Sequence, residues 1–289
     1  MSRCILYVFA FIVVVLASCK KTEEVIVPNN TAPPDNTISN EKIESYYNRL
    51  YITLLGRKPT PTEADSVRNI LTNSQLSLSS RQDLIQGLQN KPEYLASLYT
   101  IARADLLNAL DTSQITLFIA IFNAQLAQPT YSNVAAILQT EINRLTALRN
   151  IPVDLTNHTL TAEGMERRCI DNYFYDQLNM GTENFVVSSF QHFLLRYPST
   201  EELSNGKLMV NGFASNLFFQ SGTTKNDYMN IFFASDNFRE GTARSLYKRY
   251  LFKEPSTTKL YDLTQYYKQH PDYQGLQREI LSSDEYTFY

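Results

Sequence analysis

Tryptophan is absent from this chain of 289 residues, and cysteine and histidine are the rarest residue types present, with three of each. Cys4 and Cys19 lie in an N-terminal segment that we predict to be processed, so only Cys169 is left to the folded domain. A single cysteine excludes an intramolecular disulfide, and apolar burial must stabilise the fold instead. Met165 and Tyr173 stand four residues to either side of Cys169, which predicts a buried small side chain rather than a nucleophile.

The chain also lacks the motifs that usually mark catalytic and cofactor sites. It contains no glycine-rich phosphate loop, no His-Glu-x-x-His zinc motif and no Gly-x-Ser-x-Gly nucleophile elbow. Its three histidines, His158, His192 and His270, are far apart in sequence, and His192 lies between two phenylalanines on a predicted helix. A histidine in that position is more often packed than catalytic. We therefore predict no metal and no cofactor, and we favour a non-enzymatic role while leaving an enzyme open.

Neither sign of charge is in large excess, because 26 basic residues stand against 29 acidic ones. This balance does not indicate nucleic acid or an anionic lipid surface as a partner. Hydrophobic residues make up 43% of the chain and aromatic residues 12%, which is sufficient for a packed core. The length allows one large domain or two small ones.

The N-terminus has the pattern of a bacterial lipoprotein signal. Arg3 precedes an apolar run from Ile5 to Ala17, which is too short to span a bilayer comfortably and is typical of a signal-peptide core. The following Ser18-Cys19 resembles the end of a lipobox, and this resemblance implies cleavage before Cys19 and acylation of that cysteine. Acyl chains on Cys19 would then hold the chain on a membrane. The alternatives are an ordinary secretory signal and an uncleaved anchor.

A flexible tether is predicted for residues 19–40, which contain Pro28, Pro33 and Pro34 and no helical period. Its first residues, 20–24, read Lys-Lys-Thr-Glu-Glu and resemble the surface-export signal of Bacteroidetes lipoproteins. A soluble charged spacer is the alternative. We predict a lipid-anchored location at the outer membrane, and the cell surface if the export signal is active.

From Ser39 onward the apolar residues recur at three- and four-residue spacing, which predicts an all-α fold of roughly 10–13 helices. We predict a polar loop over residues 150–159 and one continuous helix from about residue 161 to residue 178. No segment shows strand-like alternation. The runs at 218–219 and 231–233 are too short to classify by periodicity.

One sequence phrase, an aromatic-rich helix followed by a basic residue and a proline stop, occurs three times. The copies are centred on Arg57, Arg196 and Lys253, and each base is followed two residues later by proline. Similar closing sequences occur near residues 84–94, 228–238 and 276–286. Repeated helical units usually bury the apolar face of one unit against the next. The predicted division is a signal peptide at 1–18, a tether at 19–40, repeats at 41–110, 181–240 and 241–289, and a helical insert at 111–180.

The phrase aromatic-x-x-Leu-Leu-x-Arg-x-Pro-Thr-x-x-Glu, closed by Ser-x-Glu-Tyr, is similar to two groups of helical modules of undefined function. One group is a repeat of secreted and surface proteins that is distantly similar to phycobilisome linkers. The other belongs to planctomycete-type surface proteins, where it often accompanies c-type cytochrome domains. This second resemblance is closer over residues 50–63 and 80–105. The resemblance implies a helical module and transfers no catalytic residue. Haem binding is not supported, because the chain has no Cys-x-x-Cys-His.

The three repeated bases are predicted to be structural. A cation at a helix C-terminus complements the helix dipole and can bond the last carbonyls. Arg57 and Arg196 can also reach acids a few residues on, namely Glu63, Glu201 and Glu202. The alternative is a binding surface for an acidic partner, and a lysine in the third copy suits a point charge better than bidentate recognition.

The stretch from residue 166 to residue 185 has the densest mixture of charged, amide and aromatic side chains. It joins the insert to the second repeat, and a groove is predicted there if the protein has one. The candidate binding residues are Arg167, Arg168, Asp171, Asp176 and Glu183. The alternative is a helix whose ion pairs are satisfied internally.

These observations favour a lipid-anchored cell-envelope protein that acts as a non-catalytic interaction or scaffold subunit for another envelope protein or a polymer. One alternative is an enzyme that acts on an envelope polymer through carboxylates in residues 163–183. Such an enzyme requires a pocket with clustered carboxylates of displaced pKa. A second alternative, which rests on the resemblance alone, is a docking accessory to an electron-transfer system.

Overall fold

The α-helix is the dominant element of the protein, which a computed structural model describes from residue 38 to residue 289. The structure is 75% helical with 16 helices and almost no strand, so the predicted all-α class is confirmed. Several of these helices are a single turn or two long, which accounts for a number above the 10–13 expected. The lipobox, Cys19 and most of the predicted tether lie outside the described residues.

The helices follow one another with short connections. Their bounds are α1 Asn40–Leu55, α2 Pro61–Asn73, α3 Leu78–Gln89, α4 Pro92–Leu107, α5 Thr112–Leu126, α6 Ala135–Arg149, α7 Ile151–Thr156, α8 Ala162–Ile170, α9 Tyr173–Leu178, α10 Thr182–Ser189, α11 Thr200–Val210, α12 Lys225–Ala234, α13 Asp236–Leu251, α14 Thr257–Gln269, α15 Tyr273–Leu281 and α16 Asp284–Thr287. A 3₁₀-helix covers Pro129–Val134, a π-helix covers Phe190–Leu194, and the strands are β1 Ser215–Leu217 and β2 Gln220–Gly222.

Three segments differ from the sequence-based predictions. Residues 150–159 were predicted to be a loop but contain α7, because Pro152 is tolerated in a first helical turn and Ile151 is buried. The helix predicted for residues 161–178 is broken at the buried Asn172. The side-chain oxygen of Asn172 accepts from the backbone N–H groups of Phe174 and Tyr175 at 3.0 and 3.1 Å, and so begins α9.

The third difference is a β-hairpin where no strand was predicted. Strand β1 pairs antiparallel with β2 through a two-residue turn, in which Phe218 and Phe219 have φ of 49° and 64°. A turn with two positive φ angles usually contains Asn or Gly. Both residues of this turn are phenylalanine, so no turn was predicted there. Phe218 packs against the buried rings of Phe190 and Phe232 with centroids 5.8 and 6.1 Å away, which explains an aromatic residue in this position.

The three copies of the repeated phrase share one turn geometry. The first helix of each copy ends at a residue with left-handed backbone, with φ of 71° at Gly56, 55° at Leu195 and 53° at Phe252. Proline follows three residues later, and a hydroxyl then caps the next helix. The cap residues are Thr60, Ser199 and Ser256. Each turn therefore ends one helix and starts another within a few residues.

The first two turns are closed by an arginine that binds the acid of a capping box. Arg57 donates two hydrogen bonds to Glu63 at 2.7 and 3.0 Å, and Arg196 donates two to Glu202 at 2.7 Å each. These hydrogen bonds hold the pKa of Glu63 and of Glu202 below the usual range. Each guanidinium also lies over an aromatic ring of the preceding helix, Tyr51 at 5.7 Å or Phe190 at 5.0 Å.

The third turn uses a different acid. The position that holds Glu63 in the first capping box is occupied by Lys259 in the third copy, so Lys253 pairs instead with Glu285 at 2.6 Å. Arg57 has the equivalent second contact, to Glu93 at 3.1 Å. All three bases therefore form ion pairs beside their turns, and their structural role stays a prediction. Glu201 makes no such contact among residues 38–289.

We predict that Glu202→Ala lowers the free energy of unfolding by about 1 kcal/mol, because it removes both the capping box and the partner of Arg196. The adjacent Glu201→Ala is the matched control, since it changes the same residue type in the same helical turn and should be nearly neutral. Urea unfolding followed by circular dichroism measures both. Equal effects of the two substitutions would contradict the role given to this turn.

Copies one and three pack against each other although they are distant in sequence. The hydroxyl of Tyr46 donates to the carbonyl of Leu281 at 3.2 Å, and Arg49 donates to the carbonyl of Tyr286 at 2.8 Å. The almost fully buried Arg81 forms an ion pair with Asp284 at 2.7 Å. The apolar core is one continuous cluster that includes residues of every predicted segment from 41 to 289. The segment boundaries themselves stay a prediction.

Gly241 of α13 lies directly against the backbone of the π-helix. A Cβ atom built on this residue would lie 1.9 Å from the carbonyl oxygen of Phe193 in the π-helix. Only glycine permits that distance, and the crossing sets the position of α13 against the second repeat. Within residues 38–289, no single helix is long and apolar enough to cross a bilayer; α4 and α5 satisfy that length and composition test only as a pair bent by 66°.

Gly241→Ala is expected to lower the free energy of unfolding by about 1–3 kcal/mol, because the backbone must move to admit the methyl group. Gly87→Ala should instead raise it by about 0.5–1 kcal/mol, since Gly87 lies in α3 with open space around it. Thermal and urea unfolding of the two variants compare the same chemical change at a crowded and an open helical position. A neutral Gly241→Ala would show that this approach is not a constraint.

Candidate functional site

A cleft of about 300 Å³ lies between α4, α8, α13 and the π-helix, where the insert meets all three repeats. Its apolar wall comes from all four elements. The wall residues include Leu98, Ile101, Ala102, Leu106, Met165, Phe193 and Leu246. A π-helix offsets its side chains from ordinary α-helical spacing and is frequent at functional sites. The volume suits a small ligand or a side chain of a partner.

Polar groups are placed around this apolar wall. Glu166 of α8 is half-buried in the cleft, and the side chains of Asp105 and Arg249 form an ion pair at its rim with atoms 2.6 Å apart. Tyr273, at the start of α15, completes the lining on one side. An apolar wall with a few convergent polar groups is the usual composition of a binding site.

Glu166 is the most perturbed acid that faces the cleft. Burial among apolar side chains raises the pKa of its carboxyl to about 8, and the negative charge of Glu163 on the preceding helical turn adds to that effect. Asp105 raises the same pKa further and Arg249 opposes it. At neutral pH the Glu166 carboxyl is therefore largely protonated and uncharged.

Glu163 and Glu166 differ from the other acids of the domain. Burial also raises the pKa of Glu163, whereas every other carboxyl in residues 38–289 with a displaced pKa has it lowered by hydrogen bonds or ion pairs. Neither glutamate has an ion-pair partner in that part of the chain. The only cation that lines the cleft, Arg249, is already paired with Asp105. The cleft thus holds one carboxyl, that of Glu166, which has no ion-pair partner in the described part of the chain, and Glu163 lines the adjoining depression.

Two smaller depressions adjoin the cleft and share Leu98 and Tyr273 with it. One lies toward Tyr94 and Gln277 and the other toward Glu163, and each has a volume of about 240 Å³. The three depressions line the same side of α4. A ligand larger than a single side chain can therefore extend from the cleft along α4.

His192 lies at the mouth of the cleft, on the π-helix. The Nδ1 atom of His192 and the hydroxyl of Tyr175 are 3.1 Å apart, and partial burial lowers the pKa of the imidazole. A neutral imidazole there offers a hydrogen bond rather than a charge. His192, which was predicted from the sequence to be packed rather than catalytic, therefore borders the cleft.

The five candidate binding residues are not brought together. Arg168 pairs with Asp154 at 2.6 Å, and Arg167 donates to the side-chain oxygen of Asn226 at 2.8 Å. Asp171 lies 3.3 Å from the guanidinium of Arg144. None of the five lines the cleft.

The two remaining candidates are also engaged elsewhere. Asp176 pairs with Lys225 at 2.7 Å, and Glu183 pairs with Lys207 at 2.6 Å. Each of the five side chains thus has its own partner, although the Oδ1 atom of Asp171 accepts no hydrogen bond within residues 38–289. The cleft uses Glu166 from the same stretch instead, with Asp105 and Arg249 from distant segments.

Cys169 is fully buried, as predicted, and burial raises the pKa of its thiol to about 12. A thiol in that state is a packing group rather than a nucleophile. The described part of the chain contains no group of three or more His, Cys, Asp or Glu side chains that could hold a metal ion. Comparison of the chain with protein-family models, with curated proteins and with solved structures gave no match.

The proton on Glu166 predicts a specific pH dependence of stability. The folded carboxyl has a pKa of about 8 against a usual value of 4.5, so between these values the folded state binds more protons than the unfolded state. The free energy of unfolding of the wild type should therefore fall as the pH rises through that window.

Glu166→Gln should not show this fall in the free energy of unfolding. The variant should therefore become more stable than the wild type as the pH rises, by about a few kcal/mol at the upper end of the window. Urea unfolding at a series of pH values measures the difference. Glu201→Gln, at an exposed glutamate, is the control and should parallel the wild type. A pH-independent difference between Glu166→Gln and wild type would contradict the raised pKa.

Proposed function

We propose that the protein is a lipid-anchored binding subunit of the cell envelope, in which the cleft accepts an apolar group that carries a positive charge. The observation that carries the proposal is the Glu166 carboxyl, which has no ion-pair partner among the described residues and lies beside an apolar wall. A basic side chain of another envelope protein, or an amine-bearing polymer, has the required chemistry. The role is one of interaction or scaffolding rather than catalysis.

Electrostatics supports a cation rather than an anion as the ligand. A bound anion would keep Glu166 protonated and would lie near Asp105, and the one cation of the lining, Arg249, is already paired with Asp105. A bound ammonium or guanidinium group would instead ionise Glu166 and gain a charge-assisted hydrogen bond. The cost of burying the charged carboxylate is then offset by its new partner.

Catalysis by carboxylates in residues 163–183 is the second candidate, and only Glu163 and Glu166 favour it. Asp171, Asp176 and Glu183 are held in separate ion pairs. An acid–base mechanism needs two groups that face one substrate with different pKa values, whereas both of these glutamates are shifted upward. A binding role does not require two such groups, so it accounts for the site better than catalysis does. Docking to an electron-transfer partner stays an alternative that rests on the resemblance alone.

The envelope location follows from the predicted lipoprotein signal. Acylation at Cys19 would attach the chain to the outer membrane, and the acidic residues after it are compatible with transfer to the cell surface. The tether of about 20 residues would let the domain stand clear of the bilayer or lie against it.

Binding of an amphiphilic amine tests the proposal directly. Phenethylamine should bind with release of a proton at neutral pH, and its affinity should rise with pH until about 8, where the carboxyl of the free cleft ionises. Isothermal titration calorimetry in buffers of different ionisation enthalpy measures both quantities. Neutral 2-phenylethanol, which has a similar shape, should bind more weakly and release no proton.

Two variants assign the binding to the cleft. Glu166→Gln should abolish the proton release, and Ala102→Leu should weaken binding because it narrows the cleft without a change of charge. Ala120→Leu, at an exposed alanine of α5, is the matched control for the added bulk. Absence of amine binding in the wild type, or binding that Ala102→Leu leaves intact, would overturn the proposal.

A further inference from the structure

A long part of the insert carries no charged side chain. No Asp, Glu, Lys, Arg or His occurs from residue 112 to residue 140, between Asp111 and Glu141, although 19% of the whole chain is charged. This tract forms α5, the 3₁₀-helix and the first part of α6. The two helices pack against each other as an antiparallel hairpin whose connection carries only uncharged residues.

One side of the hairpin is attached to the domain by aromatic packing. Ile115 is buried, and the ring of Phe118 contacts those of Phe122, Tyr173 and Phe174 with centroids 5.1–5.9 Å away. These contacts hold α5 against α9. They also determine which residues of α5 face away from the domain.

The opposite side is apolar and exposed. Leu117 and Ile121 stand one helical turn apart on α5 and are 54% and 38% exposed, and Ile137 on α6 is 64% exposed. Ala120 and Ala124 on α5 are exposed as well. We call these five residues the outer face of the hairpin. A helix with apolar residues on both sides is usually buried on both sides.

We propose that the outer face enters the boundary between headgroups and acyl chains of a lipid bilayer. Transfer of a charged side chain into that region is costly, and a tract of this length without charge removes the cost entirely. α5 is about 22 Å long, and Asp111 lies at the end of it that joins the domain. Glu141 lies midway along α6, where it pairs with Arg144 at 2.6 Å.

Lipid fits the outer face better than a protein partner does. Protein interfaces surround an apolar centre with a polar rim that often includes arginine, and residues 112–140 contain no charged side chain to form such a rim. This tract also has no basic residue to attract anionic headgroups, since Arg144 and Arg149 lie in the second half of α6. Contact with lipid is therefore apolar and should not depend on headgroup charge or on salt.

The inference rests in part on the proposed function, because acylation at Cys19 would hold the hairpin near a bilayer. The two are separated by using a mature chain with Cys19→Ser, which cannot be acylated. Its partition onto vesicles reports on the hairpin alone. Incorporation of labelled palmitate into the wild type in cells reports on the anchor alone.

Flotation with phosphatidylcholine vesicles, and with vesicles that also contain phosphatidylglycerol, gives the partition coefficient. We expect measurable partition onto both, at low and at high salt. The double variant Leu117→Asn, Ile121→Asn should reduce it at least about tenfold, since each exposed apolar side chain contributes on the order of tenfold. The matched control is Ile70→Asn, Leu208→Asn, at exposed apolar positions of α2 and α11, which should leave partition unchanged.

Three results would overturn the inference: equal partition of the hairpin variant and the wild type, binding to anionic vesicles only, or no binding to either vesicle by the protein with Cys19→Ser. Sedimentation without vesicles tests the competing occupant, a second copy of this chain. A dimer that is lost in the hairpin variant would assign the outer face to self-association instead. Circular dichroism of both double variants confirms that they are folded.

Discussion

The repeated helix-stop turn is the constraint on which the rest of the structure depends. Each of the three turns must reverse the chain between two helices that pack on a common core, and each does so with a left-handed residue, a base, a proline and a capping hydroxyl. The base is held by whichever acid the copy supplies. Arg57 binds both the capping-box acid Glu63 and the closing acid Glu93, Arg196 binds only the first kind, and Lys253 only the second.

In copies two and three, the replacement of a single acidic residue determines which acid binds the base. In copy two the closing acid is replaced by Asn237, which leaves Glu202 as the partner of the base. In copy three the capping-box acid is replaced by Lys259, which leaves Glu285. A lysine makes one strong contact and an arginine two, so the base in each copy matches the bonds that its acids can accept. The cleft lies where the insert meets all three repeats.

Local features of the fold could be predicted from the sequence, and long-range ones could not. Prolines, hydroxyl caps and apolar spacing predicted the long helices. The position of the three bases at helix ends predicted a structural role for them. The turn at Phe218 was missed because it depends on tertiary packing, in which an aromatic ring compensates for an unfavourable backbone. Asn172 is a local exception: its hydrogen bonds reach only residues 168–175, but the sequence does not show that its amide is buried against the backbone. Of residues 166–185 only Glu166 lines the cleft, and no pattern links Asp105 with Arg249, which are 144 residues apart.

The packing of copy one against copy three has a consequence for the order in which the protein can fold. Tyr46 and Tyr47 of α1 are almost fully buried, and part of what covers α1 comes from α15 and α16. A chain synthesised from its N-terminus therefore presents an incomplete apolar surface until residues 273–287 have emerged. The domain closes late, by contacts of high sequence separation, and a chain interrupted before α15 leaves exposed the surface most prone to aggregation.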